Sequence, residues 1–149
     1  MRVVVQRVES AGVEAGGAQI SRIGAGMLVL LGIKADDTAR DLKFLVDKVS
    51  GLRIFEDETG KMNISVSEAG GEALVVSQFT LYGDVRRGLR PSFTEAAGPR
   101  EAEAMYEGFI EGLRARGIRT AAGKFQAEMK VRLVNNGPVT IIIDSRKEI

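Results

Sequence analysis

Two short segments of the chain combine residue types that could act on a substrate. The first is Ser77-Gln78-Phe79-Thr80-Leu81, which follows an apolar run and supplies two hydroxyls and an amide in quick succession. Polar groups at the end of a buried strand are typical of a site, but a strand that leaves the core for a polar surface has the same pattern. This segment alone leaves both interpretations open.

The second segment is Asn136-Gly137-Pro138-Val139-Thr140, which lies between two strand-like runs. Proline cannot donate a hydrogen bond to a sheet, and Asn-Gly favours a tight turn, so the pattern predicts a break between two strands. An X-Pro bond prefers trans by only about 0.5–1 kcal/mol, so the turn could hold a cis peptide with two bare carbonyl groups pointing outward. An ordinary strand-turn-strand junction is the simpler interpretation.

Taken together, the two segments resemble the signature motifs of the D-aminoacyl-tRNA deacylases. The resemblance extends along the whole chain, with matches at Gln6-Arg7-Val8, Gly24-Ala25-Gly26, Arg53-Ile54-Phe55, Gly60-Lys61-Met62-Asn63 and Arg90-Pro91-Ser92-Phe93. It implies a homodimeric enzyme that hydrolyses the ester joining a D-amino acid, or glycine, to the 3′ end of tRNA and spares L-aminoacyl-tRNA, which is chiral proofreading in translation. It also implies that Gly137 and Pro138 form a cis pair that enters the partner's active site.

The catalytic candidates are Ser77, Gln78, Phe79 and Thr80, and no acid or base stands among them. Thr80 could act as a nucleophile only if a group elsewhere activated it, because an unassisted hydroxyl is weak. Alternatively, the ribose hydroxyl of the tRNA assists while the protein positions the ester and stabilises the oxyanion. We favour this second route, with the backbone N–H groups of Phe79 and Thr80 and the Gln78 amide as the oxyanion donors.

Rejection of the L enantiomer is expected to depend on backbone atoms. A pocket that fitted D side chains would need a different fit for each amino acid, whereas the family resemblance implies broad tolerance. Carbonyl oxygens at Gly137-Pro138 could receive the substrate's amino group and leave an L side chain no space, while glycine would pass. Arg7, within the Gln6-Arg7-Val8 match, is expected to support this turn by binding its carbonyl groups. As a strand residue that faces solvent it would need no role.

Two sets of residues are candidates for holding the tRNA. The resemblance places Phe125 and Met129 beside the terminal adenine, and an aromatic ring with a thioether suits base packing. Their i, i+4 spacing equally fits a helical turn in the core. Three cations in one glycine-containing loop, Arg86, Arg87 and Arg90, are the candidate phosphate contacts. A solvated surface loop is the competing interpretation for these arginines.

Composition restricts the chemistry further. The chain has 149 residues, 44% hydrophobic and 28% charged, which predicts a single globular domain over residues 1–149. It contains no cysteine and no histidine, which removes thiol nucleophiles, disulfides, the usual neutral-pH base and the commonest metal ligand. We therefore expect neither a metal nor a cofactor. A net charge of +1 gives no overall attraction to RNA, so tRNA binding must depend on local basic clusters.

Hydrophobic periodicity predicts an α+β fold, with one compact domain of mostly antiparallel, barrel-like sheet layers and two main helices, homodimeric by family resemblance. The helices are expected after the cap candidates Asp36-Asp37-Thr38 and from Pro99 to Gly117. The expected strands are Arg2–Val8, Ala18–Ile23, Met27–Ile33, the run around Leu74, Ile118–Ala121, Glu128–Asn135 and Val139–Asp144. No apolar run is long enough to span a bilayer and the first residues lack a signal-peptide pattern, which predicts a cytoplasmic protein.

Two other functions fit the sequence less closely. A non-catalytic RNA-binding or dimerisation module of the same fold would bind tRNA without turnover, but the loss of Thr80 or Gly137-Pro138 that would mark it is not seen. A related deacylase that clears a different mischarged species, such as L-alanine on the wrong tRNA, would carry a trans Gly-Pro turn. The isomer cannot be read from the sequence.

Overall fold

The structure, a computed structural model, describes residues 1–149 as eight strands, two α-helices and one short 3₁₀ helix. In chain order these are β1 (Arg2–Ala15), β2 (Ala18–Ile23), β3 (Gly26–Gly32), α1 (Ala39–Ser50), β4 (Phe55–Glu56), β5 (Met62–Ile64), β6 (Glu72–Ser77), the 3₁₀ helix (Phe79–Tyr82), α2 (Pro99–Arg114), β7 (Thr120–Ala122) and β8 (Met129–Asp144). The predicted α+β class with two main helices is confirmed. Neither helix is long and apolar enough to cross a membrane.

Six of the strands form one sheet around β1. This strand pairs antiparallel with β2 and β3 along one edge and with β8 along the other, while β6 and β7 continue the sheet in parallel beyond β3. The sheet curls until the start of β8 approaches the end of β7, where the Lys124 N–H donates to the Met129 sulfur at 3.3 Å. The barrel-like, mostly antiparallel sheet is therefore confirmed, with β6 and β7 as its parallel part.

Alternation of side chains along the strands separates two hydrophobic cores. On β3, Met27, Val29 and Leu31 belong to the core under the two helices, whereas Leu28 belongs to the core inside the curl. The first core also takes the apolar stripes of α1 and α2, with Phe109 fully buried. Because both faces of β3 are covered, its sequence is a continuous apolar run.

Helix α1 begins where its cap candidates predict. The Thr38 N–H donates to the Asp41 carboxylate at 2.9 Å, which satisfies a free donor at the helix start. Burial raises the pKa of Asp41, but hydrogen bonds from Ser145 and Thr38 outweigh this and lower the pKa to about 2. Helix α1 packs closely on α2, because a Cβ on Gly112 would lie 2.8 Å from Val46 Cγ2. The pair of helices covers the sheet on the side away from the curl.

The two longest strands differ from the prediction. Strand β1 does not end at Val8, and β8 is a single strand where two were expected. Gln6 pairs with Thr140 and Val8 pairs with Asn135, so residues 136–139 form a bulge in β8 that does not end the pairing. The Gly-Pro pair interrupts the sequence pattern without interrupting the strand, because β1 spans the interruption as a continuous partner.

Candidate active site

A cavity of about 630 Å³ opens at the carboxyl end of β6. Its lining includes Ser77 at the end of β6, Gln78 and Phe79 directly after it, and Phe125 and Met129 from the segment that enters β8. No lining residue has an ionisable side chain, and no three acidic side chains of the chain cluster so as to hold a metal ion. The structure therefore brings together three predicted catalytic residues and both predicted adenine contacts, without a side-chain acid or base.

The 3₁₀ helix after β6 positions the catalytic candidates. The Gln78 N–H donates to Leu31 O at 2.8 Å, and Gln78 O then accepts from the Leu81 N–H at 3.2 Å. Phe79 and Thr80 are the first residues of this helix, so their N–H groups have no acceptor within it. The Thr80 side chain is exposed outside the cavity lining, and its hydroxyl accepts a hydrogen bond from the Gln78 amide. Backbone donors, rather than the hydroxyl, stand at the end of β6.

Aromatic contacts hold both walls of the cavity. Phe79, which is 55% exposed, packs edge-on against Phe93 with ring centroids 5.1 Å apart. Phe125 packs on Tyr106 with centroids 5.8 Å apart, and the Tyr106 hydroxyl donates to Val75 O at 2.9 Å. Burial raises the pKa of Tyr106 to about 12. The helical periodicity of α2 marks Tyr106 as a core residue and gives no sign that it supports a cavity wall.

The cavity residues between β7 and β8 are not helical. Phe125 lies in the turn before β8 and Met129 is the first residue of that strand, so the predicted alternative of a helical turn is wrong. Its other part holds, because Phe125 packs against the core under the helices and Met129 against the core inside the curl. The turn is tight, because Gln126 has a left-handed φ of 59° and a Cβ on Gly123 would lie 2.9 Å from the Met129 sulfur. This close backbone approach directs both side chains to the same cavity.

The three arginines of the loop after the 3₁₀ helix are not equivalent. Arg86 pairs with the Asp84 carboxylate through Nε at 2.9 Å and Nη2 at 2.7 Å, and this pairing holds the pKa of Asp84 well below its usual range. Arg87 and Arg90 are exposed and take part in no ion pair. The loop then reaches the cavity lining at Phe93. Two free cations precede the cavity wall, while the third is neutralised by its own loop.

The bulge in β8 is supported by Arg7. The peptide between Gly137 and Pro138 is cis, and both residues are exposed. Arg7 is buried, and its guanidinium donates to the carbonyl groups of Asn136 at 3.2 Å and Ile54 at 2.8 Å. Arg7 therefore binds the carbonyl that precedes the pair.

Asn135 is a second support, which the sequence gives no reason to single out. Its side-chain amide donates to Arg7 O at 2.9 Å and to Val139 O at 3.1 Å, so one side chain ties the bulge at both ends. Gly137 has a φ of 122°, and a Cβ there would lie 2.8 Å from Val139 Cγ2. Only glycine fits this position without displacing its neighbours.

The bulge does not reach the cavity of its own chain. Arg7 pairs with Met27 and Met27 with Ala73, whereas the cavity is lined by Ser77 at the far end of β6. Along the sheet, about three strand spacings of about 4.8 Å and about four residues of about 3.3 Å lie between the bulge and Ser77. No residue from 136 to 139 lines the cavity. The two signature segments are therefore separated within one chain.

The fold and cavity define a small α+β domain with an uncharged cavity, which is lined by residues at the end of β6 and by aromatic rings. The chain belongs to the D-Tyr-tRNA(Tyr) deacylase family, whose model matches residues 4–144. Two relatives are named D-aminoacyl-tRNA deacylase. That of Thermotoga petrophila is 59% identical over 99% of both chains, and that of Symbiobacterium thermophilum is 56% identical over 99% of this chain and 97% of its own. The family predicted from the signature motifs is confirmed.

Two solved structures share the fold. The c-Myc DNA unwinding element binding protein superposes with a TM-score of 0.91 at 47% identity, over 97% of this chain and 98% of its own. A probable eukaryotic D-amino acid tRNA deacylase superposes with a TM-score of 0.82 at 20% identity, over 95% of this chain and 97% of its own. The second likeness supports the fold alone.

Proposed function

We propose that this protein hydrolyses the ester between a D-amino acid, or glycine, and the 3′ end of tRNA, and that it rejects L-aminoacyl-tRNA. Membership of the family makes the chain an aminoacyl-tRNA hydrolase, and the proposal concerns its specificity and mechanism. The observation that carries it is the uncharged cavity whose lining joins Ser77, Gln78 and Phe79 with Phe125 and Met129. The reaction serves chiral proofreading, and we place it in the cytoplasm, where charged tRNA is used.

In the proposed mechanism, the ribose hydroxyl beside the ester assists the attack of water on the carbonyl carbon. The cavity offers no side-chain base for this step, and the Thr80 hydroxyl is hydrogen-bonded to the Gln78 amide, which cannot act as a base. An aminoacyl ester is already activated, so the protein has to lower the barrier less than a peptidase would. Positioning and oxyanion stabilisation provide most of this reduction. The N–H groups of Phe79 and Thr80 are the donors, assisted by the Gln78 amide. The tRNA leaves with its hydroxyl restored, and the free amino acid carries the added water oxygen.

A modified substrate tests the role of the ribose. D-tyrosyl-tRNA that ends in 2′-deoxyadenosine lacks the assisting hydroxyl but keeps every group that the protein would contact through the base and the ester. We expect its enzymatic deacylation to fall at least about a hundredfold, a loss comparable to removing an oxyanion donor. Deacylation at the rate of the ribose substrate would show that a protein group performs this step.

The 3′ end is held, in this proposal, by the cavity wall that the turn before β8 forms. The adenine packs against Phe125 and Met129, since Phe125 is itself supported by Tyr106. Arg87 and Arg90 contact phosphates because they are exposed and unpaired. Arg86 contributes less, since Asp84 already neutralises it.

We further propose that two copies of the chain complete each other's sites. Val4 pairs with both Ile142 and Leu30, and Leu30 pairs with Val76, so these side chains form one apolar row across the inner face of the sheet. Ile142 is 60% exposed at one end of the row, and Val76 lines the cavity at the other. A second copy that covers this row removes apolar surface from water and brings its Gly137-Pro138 segment to the cavity.

Chiral selection follows from such an arrangement. Carbonyl groups of the partner's Gly137-Pro138 segment receive the substrate's amino group and occupy the space that an L side chain would need. The side chain of a D-amino acid points away from this segment, so its size matters little. Glycine passes because it has no side chain. The site selects by excluding the L enantiomer and does not need to fit the side chain of the D enantiomer.

Deacylation of D-Tyr-tRNA, L-Tyr-tRNA and glycyl-tRNA by the purified, chelator-treated protein tests the proposed function. We expect rapid loss of the D-tyrosyl and glycyl esters with the L-tyrosyl ester intact. Binding of all three without hydrolysis would instead identify a non-catalytic RNA-binding module. Hydrolysis of an L-aminoacyl ester, such as L-alanyl-tRNA, in preference to the D-tyrosyl ester would identify a deacylase of different specificity.

A further inference from the structure

A second cleft adjoins the cavity and has no part in the proposed chemistry. It measures about 470 Å³ and lies between the β1–β2 hairpin and the turn that precedes β8. Ala127 and Met129 line both spaces, so the cleft continues outward from the cavity past one of the proposed adenine contacts. If a molecule in the cavity is the end of a polymer, and this polymer leaves the cavity beside Met129, the polymer enters this cleft.

The charges of the cleft favour an anionic occupant. Lys124 and Lys130 line it, and both are exposed and take part in no ion pair. Glu14 also lines the cleft, but its carboxylate is engaged by Arg132 at 3.0 Å. Glu128 is the one lining carboxylate without a cation partner. Two free ammonium groups thus face one free carboxylate.

The hairpin wall suits a polymer that carries both phosphates and bases. Gly16 and Gly17 form its turn with φ values of 59° and 79°, and a Cβ at either would meet nothing within 4 Å. This open backbone lets a sugar-phosphate chain approach closely. Beside the glycines, Ile20 is 43% exposed and lines the cleft, which gives a base or sugar an apolar surface.

We propose that this cleft binds the nucleotides that precede the terminal adenosine in the single-stranded 3′ end of tRNA. Their phosphodiester groups lie between Lys124 and Lys130, and a base or sugar packs on Ile20. This inference rests on the proposed function, since it takes the adenosine of the ester to lie beside Phe125 and Met129. Single-stranded nucleic acid is typically held in this way, with cations along the backbone and apolar surface for the bases.

Two substrates separate the cleft from the cavity. D-Tyr-tRNA would occupy both, whereas the D-tyrosyl ester of adenosine alone would occupy only the cavity. The double variant Lys124→Gln, Lys130→Gln should raise the KM for D-Tyr-tRNA by about tenfold without changing kcat. For this variant, the slope of log KM against log salt concentration should be smaller by about 1.4, because each of the two lost phosphate contacts to a single strand contributes about 0.7. Hydrolysis of the adenosine ester should be unchanged.

Matched variants control for charge. Arg40→Gln, Lys147→Gln removes two exposed cations that form no ion pair and line neither space, and it should leave both substrates unaffected. Glu128→Gln removes the opposing carboxylate and should lower the KM for D-Tyr-tRNA severalfold, with the adenosine ester again unaffected.

The proposal is overturned if the double lysine variant leaves the KM and salt dependence for D-Tyr-tRNA unchanged, or if it impairs the adenosine ester equally. If the wild-type protein hydrolyses neither ester, the proposed function fails, and the cleft is tested by titration with the trinucleotide CCA and with adenosine. Tighter binding of CCA that the lysine substitutions abolish would then support the cleft. Equal binding of CCA by wild type and variant would refute it.

Discussion

Replacing Gly137 with alanine should lower stereochemical selectivity in a protein that remains folded. The backbone at Gly137 has a φ of 122°, a conformation that L side chains rarely adopt. The added methyl group would lie 2.8 Å from Val139 Cγ2 and 2.9 Å from Arg7 Nη2. Both contacts are too short to persist, so the bulge in β8 has to shift away from Arg7.

The expected energy follows from these two effects. A strained φ at a non-glycine residue costs on the order of 1–3 kcal/mol. Displacing packed neighbours adds about 1 kcal/mol or more. At Gly70, φ is 67° and a Cβ meets nothing within 4 Å, so Gly70→Ala carries the backbone term alone, at about 1 kcal/mol. Against a typical total stability of about 5–15 kcal/mol, both variants remain folded at 25 °C.

The assay compares kcat/KM for D-Tyr-tRNA and L-Tyr-tRNA, with urea unfolding measured in parallel. We expect Gly137→Ala to lower the D-to-L ratio at least about tenfold, since a loss of about 1.4 kcal/mol in discrimination corresponds to that factor. Gly70→Ala should keep the wild-type ratio. A Gly137→Ala protein that loses stability as calculated but keeps its full D-to-L ratio would refute the role of the bulge in chiral rejection.

Three further predictions address the rest of the site. Thr80→Ala should lower the rate of D-Tyr-tRNA deacylation less than about tenfold, because the backbone N–H remains; complete loss on a folded variant would mean that the hydroxyl is the nucleophile. Tyr106→Phe loses its hydrogen bond to Val75 O and should cost about 1 kcal/mol in urea unfolding, while KM should stay near the wild-type value because the ring that packs on Phe125 is kept. A severalfold rise in KM would show that the hydroxyl, rather than the ring, holds this cavity wall. Asp41, with a pKa of about 2, stabilises the fold above its unfolded pKa near 4, and this stability is lost as the pH falls towards 2. After a discount for solvent screening, the free energy of unfolding of the wild type should fall by about 1 kcal/mol more than that of Asp41→Asn between pH 5 and 2. Parallel plots of unfolding free energy against pH for the two proteins would exclude the effect.

Much of the architecture could be predicted from the sequence because local signals and tertiary packing agree. Strand β3 is one apolar run with both faces covered, and the Thr38 cap and the apolar stripe of α1 mark a helix independently. The signature residues Ser77, Gln78 and Phe79 line one cavity with Phe125 and Met129, so the structure brings these candidates together. In these segments, residues that are close in the sequence decide the secondary structure that each residue adopts.

The remainder depends on pairings that the sequence does not contain. The length of β1 and the continuity of β8 follow from their mutual register, in which a bulge absorbs Gly137 and its neighbours. The supporting roles of Asn135 and Tyr106 exist only because distant carbonyl groups come within reach of their side chains. Asp84 likewise neutralises Arg86, so three arginines that are equivalent in sequence differ in the structure.

The separation of the two signature segments is the structural fact from which the shared site is inferred. Mixed dimers test it most directly. Ala102→Trp would fill the cavity and leave Gly137 intact, whereas Gly137→Ala leaves the cavity intact. The two variants are co-expressed under two affinity tags to isolate a mixed dimer with one open cavity. If the copies complete each other's sites as proposed, this cavity faces the unaltered Gly137-Pro138 segment of the Ala102→Trp subunit.

The measurement is the D-to-L ratio of tyrosyl-tRNA deacylation by this mixed dimer, compared with the Gly137→Ala homodimer. Two copies that complete each other's sites predict that the ratio returns to the wild-type value. A ratio that remains at the level of the Gly137→Ala homodimer would show that each chain selects chirality with its own Gly137-Pro138 segment, and would contradict the shared site.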